Sequence, residues 1–372
     1  MKDVMGIINL NENEMYMEKL TLHRPLAAMP FAGRYRLIDF ALSNMVNAGI
    51  RNVGILVQDK YRALMDHLRS GKEWDLDRKW EGLYILPPFQ NSLAMQSVKG
   101  EMGNFYSNLD YIRNSRQKYV LVTGTAMVCN IDFNRVLAFH QQQDADITLV
   151  YKEWESPEED CRLCNVIKTD GTGRVTDMQI NPATSRQTKS CLEMYLMQRD
   201  LLIELIESCA SRGEHSMVQD GIMRNIGRLK IYGYAFQGYL ARIHSTQDYY
   251  RHSMNLLAPE VWRDLFLRSG IIYTKVKDGA PTQYKESSRV VNSLVASSCI
   301  IEGQVENSIL FRGVKVHRGA YIKDCIIMQK SEICENAVVE NVICDKDVHI
   351  TGGKNLKGEK SYPFVIAKGT VI

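Results

Sequence analysis

The chain has 372 residues, 45% of them hydrophobic and 24% charged, with a formal net charge of +3. That balance suits a soluble globular protein of two domains, and so small a charge argues against nucleic acid or a membrane surface as partner. No apolar run approaches the roughly 20 residues of a membrane span, and the opening Met1-Lys-Asp-Val is no signal peptide. Nine scattered cysteines, several inside apolar runs, suit reduced thiols in a cytoplasm. Cys161 and Cys164 form a Cys-x-x-Cys with no second pair beside it. It reads as a strand-edge pair rather than a zinc or redox site.

Residues 4–8, 53–57, 119–123 and 146–151 are near-continuous apolar runs of strand length. Between them, apolar residues at helical spacing mark 36–48, 61–68, 105–112 and 132–142, the last with Asp132 as its cap. The helix at 36–48 follows a stretch from Arg24 that Pro25 and Pro30 hold extended and Gly33 lets turn. Asp170-Gly-Thr-Gly173 is a turn between strands at 165–168 and 174–180. Residues 198–208 read as a helix, 229–234 as a strand and 246–256 as a helix. Apolar strands alternating with amphipathic helices predict a doubly wound, mostly parallel α/β sheet over 1–255. Residues 256–287 are then a connector.

From residue 288 the texture changes. Leu310, Val316 and Ile322 are spaced by six, as are Ile327, Ile333 and Val339, and small or polar residues fill the intervals. A period near six without a helical stripe predicts a parallel β-helix of hexapeptide coils over 288–372. Such a solenoid leaves an end open and commonly serves as an oligomerisation surface.

The run Pro30-Phe-Ala-Gly-Arg-Tyr-Arg-Leu-Ile-Asp-Phe-Ala-Leu-Ser-Asn44 resembles the sugar-nucleotide pyrophosphorylases, specifically the ADP-glucose pyrophosphorylase (glucose-1-phosphate adenylyltransferase) family. Further echoes are Tyr84-Ile-Leu-Pro-Pro88, Tyr106-Ser-Asn-Leu-Asp110, Gly171-Thr-Gly-Arg-Val175 and Asn307-Ser-Ile-Leu-Phe-Arg-Gly-Val-Lys-Val316. The resemblance spans nearly the whole chain and implies the same two domains, the solenoid being left-handed.

It also implies nucleotidyl transfer from ATP to glucose 1-phosphate, which needs a Gly-rich phosphate loop, cationic side chains and magnesium held by carboxylates. Here those positions are degenerate. The loop after the first strand has no glycine between Gly6 and Gly33 and carries Glu12, Glu14 and Glu18. The family's lysine falls on Leu26, and its magnesium aspartates fall on Thr125 and Arg242. Its sugar-phosphate Glu and Lys fall on Ile180 and Asn181. Its S-M-G-I-Y falls on Cys191-Leu-Glu-Met-Tyr195, and its G-T-A-D/N on Gly100-Glu-Met-Gly103.

Reactive residues are replaced while scaffold residues stay, so the expectation is a pseudoenzyme. It would be a non-catalytic, regulatory-type subunit in glycogen synthesis, with no catalytic residue, metal or cofactor of its own. Magnesium is expected only in its partner, a homologous catalytic subunit with which it would form a heterotetramer. Arg24, Arg34 and Arg36 match basic positions of the family and are candidates for binding a sugar-phosphate effector. Two alternatives remain at the level of sequence. One is an active transferase with ligands relocated to Glu12, Glu14 or Asp132, and the other is a stand-alone nucleotide or sugar-phosphate sensor.

Overall fold

The computed structural model describes residues 1–88, 100–155, 164–182 and 188–372. The apolar run Val4–Asn9 forms the central strand of a nine-stranded sheet. It pairs in parallel with Asn52–Leu56 on one side and with Tyr119–Thr123 on the other. Gly82–Leu86 extends the first side, again in parallel. On the second side Lys189–Gln198 runs antiparallel to both Tyr119–Thr123 and Ile147–Glu153. Ile231–Ala235 then pairs in parallel with Ile147–Glu153. The hairpin Val166–Thr169 and Val175–Gln179 closes the edge around the Asp170 turn.

Helices cover both faces, which is why the central strands are apolar throughout. Helix α1 (Leu37–Asn47) packs on one face with α2 (Arg62–Leu68) and α5 (Phe133–Gln142). Helices α3 (Gly100–Ser107), α4 (Leu109–Asn114) and α6 (Arg199–Arg212) cover the other. Asp132 caps α5 as expected, its carboxylate accepting from Asn134 N–H at 2.9 Å. The single helix expected at 105–112 is two, broken at Asn108, whose side chain bonds back to the Asn104 carbonyl at 3.0 Å. Helix α7 (Thr246–Asn255) is followed by α8 (Pro259–Leu267), which the sequence pattern did not single out.

The solenoid begins at Gln283–Tyr284 and is built of three parallel five-stranded sheets, one strand from each sheet per coil. It is a left-handed parallel β-helix. Val305, Ile322, Val339 and Leu356 stack one above another on one wall, and Ile309, Ile326 and Ile343 on the next. One side of it is joined to the α/β unit. Ile309, Phe311, Ile326, Met328 and Ile343 share a buried cluster with Phe31, Phe40, Tyr249 and Phe266.

Cys161 lies outside the described residues; Cys164 is buried beside Val166. Among the described residues, no helix is long and apolar enough to cross a membrane.

Candidate functional site

The chain leaves Val4–Asn9 toward Asn52–Leu56 on one side and later returns to Tyr119–Thr123 on the other, so the strand order reverses at these two C-terminal ends. Ligands of open α/β sheets bind at such a switch point, where two loops diverge and backbone N–H groups face outward. Here the first loop is acidic, and it folds across the gap. One Glu12 carboxylate oxygen accepts from Thr125 N–H at 2.5 Å and from the Thr125 hydroxyl at 2.7 Å. Gly124 permits this approach, since a Cβ there would stand 3.2 Å from the same oxygen. Glu14 accepts from Leu26 N–H at 2.6 Å and pairs with the Lys60 ammonium at 2.9 Å. Burial pushes the Glu12 carboxyl up against the pull of its Thr125 bonds, and Glu14 adds to the rise.

Leu26 is fully buried among Met17, Leu20 and Met29, so it contributes packing and offers only its backbone to the pocket. Arg242 lies on a short strand whose partner is Met127, two residues beyond Thr125. The two positions thus lie on neighbouring segments of the chain, and neither fits magnesium. One presents a neutral hydroxyl already donated to Glu12, and the other a guanidinium. Among the described residues, no group of His, Cys, Asp or Glu is arranged to hold a metal ion.

The other half of the pocket carries residues that the sequence reading did not identify as a site. The strand Lys189–Gln198 bulges between Cys191 and Tyr195, and Glu193 sits in the bulge at φ +54°, a conformation unfavourable to any residue with a Cβ. Asn165 Nδ2 donates to its carboxylate at 3.3 Å. Burial pushes the Glu193 carboxyl up to about 7, helped by Glu101 and Glu12 and opposed by Arg242. Glu101 accepts from Asn9 Nδ2 at 2.7 Å and from Met217 N–H at 2.9 Å, and burial raises it too. Glu193 thus stands in the field of two further carboxylates and of one guanidinium. The signal in the sequence was a charged residue standing where the family's S-M-G-I-Y motif has glycine. Asn181 lies on the exposed turn after Val175–Gln179, its N–H bonded to the Cys164 carbonyl at 3.1 Å.

A second concavity lies between the α/β unit and the solenoid, a cleft of 480 Å³. Arg34 and Arg36 enter it from the Gly33 turn, Lys275 and Lys277 from the segment after α8, and Arg312, Lys330 and Lys346 from turns of successive coils. Crowded cations raise one another's free energy, and the pKa directions follow from that together with burial. Burial and then Arg36 and Arg24 bring Lys346 down to about 7. Lys277 and Arg312 are lowered as well, first by burial and then by neighbouring cations. Burial brings Arg36 to about 10 against the pull of Asp39, whose carboxylate accepts from its backbone N–H at 2.9 Å.

Arg24 lies apart from this lining. It is buried with its guanidinium 2.5 Å from the Asp345 carboxylate, their side chains 6% and 3% exposed, and Nε donates to the Leu20 carbonyl at 3.0 Å. The three candidate arginines therefore divide into two that face the cleft and one that clasps the solenoid.

Residues 17–265 match the family described as Nucleotidyl transferase, and residues 280–361 match GlmU-like, C-terminal hexapeptide. The chain is 40% identical over 371 residues to the glycogen biosynthesis protein GlgD of Bacillus subtilis (strain 168), covering 99% of this chain and 96% of that protein. It is 41% identical over 369 residues to GlgD of Geobacillus stearothermophilus, covering 99% and 97%. Identity to the glucose-1-phosphate adenylyltransferase of Bacillus cereus (strain Q1) is 30% over 355 residues, covering 94% and 93%.

Proposed function

This chain belongs to the glucose-1-phosphate adenylyltransferase (ADP-glucose pyrophosphorylase) family, and from that premise we propose that it is a non-catalytic regulatory subunit of such an enzyme in glycogen biosynthesis. The observation that carries this reading is the pair Thr125 and Arg242. The family's carboxylates are replaced there by a hydroxyl donating to Glu12 and by a buried guanidinium. Loss of single electrostatic groups costs about 2.7–4 kcal/mol of transition-state stabilisation each, and here several are replaced together. The likeness to proteins named for glycogen biosynthesis supports the pathway.

Its role is to bind a homologous catalytic subunit, most simply in a mixed tetramer, and to set that subunit's turnover or effector response. A coupling free energy of roughly 1–3 kcal/mol, or 5- to 150-fold, is the usual size of such an effect. The cleft lined by Arg34 and Arg36 is the effector site of this reading, and its cations suit a sugar phosphate. The test is co-expression with a catalytic subunit of the family. The expected result is co-purification, a changed rate or activator response in the complex, and no ADP-glucose formed by this chain alone from ATP, glucose 1-phosphate and magnesium. ADP-glucose formation by the isolated chain would overturn it.

A further inference from the structure

The switch point holds four donors that a chain of phosphates would satisfy: the N–H and hydroxyl of Thr125, the N–H of Leu26 and the ammonium of Lys60. Each is taken by a carboxylate of one short segment. Glu12 receives both Thr125 donors at 2.5 and 2.7 Å, and Glu14 receives Leu26 and Lys60 at 2.6 and 2.9 Å. The space left beside them, lined by both glutamates, Pro25 and Lys60, is 180 Å³. That is below the roughly 300 Å³ at which small-molecule pockets begin. Lys60 also donates to the Thr21 carbonyl at 2.9 Å, so the same cation ties Glu14 to the far end of the Met15–Thr21 turn that follows it.

We propose that Glu12 and Glu14 are a built-in anion: they fill the polyphosphate position and hold the pocket in its occupied arrangement without nucleotide. Carboxylate oxygens on backbone N–H groups reproduce the charge and the acceptor geometry of phosphate oxygens. The anion is tethered, so its local concentration at the site is fixed by the fold and does not follow the nucleotide supply. The site is thus closed to polyanions by self-occupancy as well as by repulsion.

Hydrogen exchange of the full chain tests this amide by amide, with inorganic pyrophosphate as probe. In Glu12→Ala/Glu14→Ala the amides of Thr125 and Leu26 should exchange at least about tenfold faster, which is what one charge-assisted hydrogen bond is worth. Pyrophosphate should restore their protection. In the wild type, and in Glu260→Ala/Glu335→Ala, which removes two exposed acids elsewhere, the same amides should be slow and indifferent to pyrophosphate. Glu12→Gln/Glu14→Gln keeps the side-chain volume and acceptors, safeguards folding, and should give intermediate protection with partial recovery on adding pyrophosphate. Unchanged exchange in the variants overturns the proposal. So does failure of pyrophosphate to restore it, or wild-type amides that gain protection from pyrophosphate.

Discussion

Replacing Glu193 by glycine should stabilise the folded chain, and more so as the pH rises. Its carboxyl is raised from 4.5 to about 7, so protonation favours the folded state. The penalty is absent below the unfolded value, grows across the window between the two, and levels off above about 7. Linkage over that shift gives about 0.8 kcal/mol at pH 5 and about 3.4 kcal/mol at pH 8. Glu193 keeps partial solvent contact, so roughly half of the larger figure should survive screening, about 1.5–2 kcal/mol. Releasing a left-handed backbone at φ +54° adds about 1 kcal/mol. The extra chain entropy of glycine in the unfolded state takes back about 0.5–1 kcal/mol. The expected gain is therefore about 2 kcal/mol at pH 8 and about 0.5 kcal/mol at pH 5. Urea unfolding at the two pH values measures it. Glu193→Gln separates the parts, because it removes the charge and keeps the strained backbone; its gain should be small at pH 5 and several-fold larger at pH 8. A glycine variant with the same stability increment at both pH values would refute the account of Glu193 as a charge held in the pocket against desolvation.

Breaking the Arg24–Asp345 pair from one side leaves a charge almost out of water, so Arg24→Ala should cost about 3–5 kcal/mol in urea unfolding. The paired change Arg24→Met/Asp345→Leu should be close to neutral, and a single variant costing under about 1 kcal/mol would show the pair to be solvated. Sulfate keeps its double charge between pH 6 and 8, so its affinity for the cleft reports the protein's own titration. Binding should tighten as the pH falls through about 7 and Lys346 gains its proton, and Lys346→Gln should flatten that profile. Arg312→Ala/Lys330→Ala should weaken sulfate binding at least about tenfold by calorimetry and reduce its dependence on salt. Unchanged affinity in that variant would place the anion elsewhere.

The sheet and the solenoid were legible because each rests on a local period: continuous apolar runs for 4–8 and 119–123, and a repeat near six for Ile327, Ile333 and Val339. The break at Asn108 was hidden, since it comes from a side chain folding back on its own backbone and not from any gap in the apolar pattern. Thr125 and Arg242 could be singled out in advance because each stands where a family motif carries a carboxylate, while the pairing of Arg242 with Met127 belongs to the fold. Glu193 and Glu101 could not, because a bulge and a contact across the pocket bring them there. The same holds for the cleft. Arg34 and Arg36 stood in a recognisable run, whereas Arg312, Lys330 and Lys346 are far apart in sequence and become neighbours only when the coils stack. Arg24 looked like its companions, and only the fold distinguishes a clasp from a ligand-facing side chain.

The apolar cluster common to the two units also sets a timetable for synthesis. Phe31 and Phe40 are completed by Ile309, Ile326 and Ile343, which emerge about 300 residues later. At roughly 5–20 residues per second that is a wait of about 15–60 s. Through that interval the N-terminal wall lacks its solenoid cover, and its apolar surface is fully enclosed only when the last coils arrive.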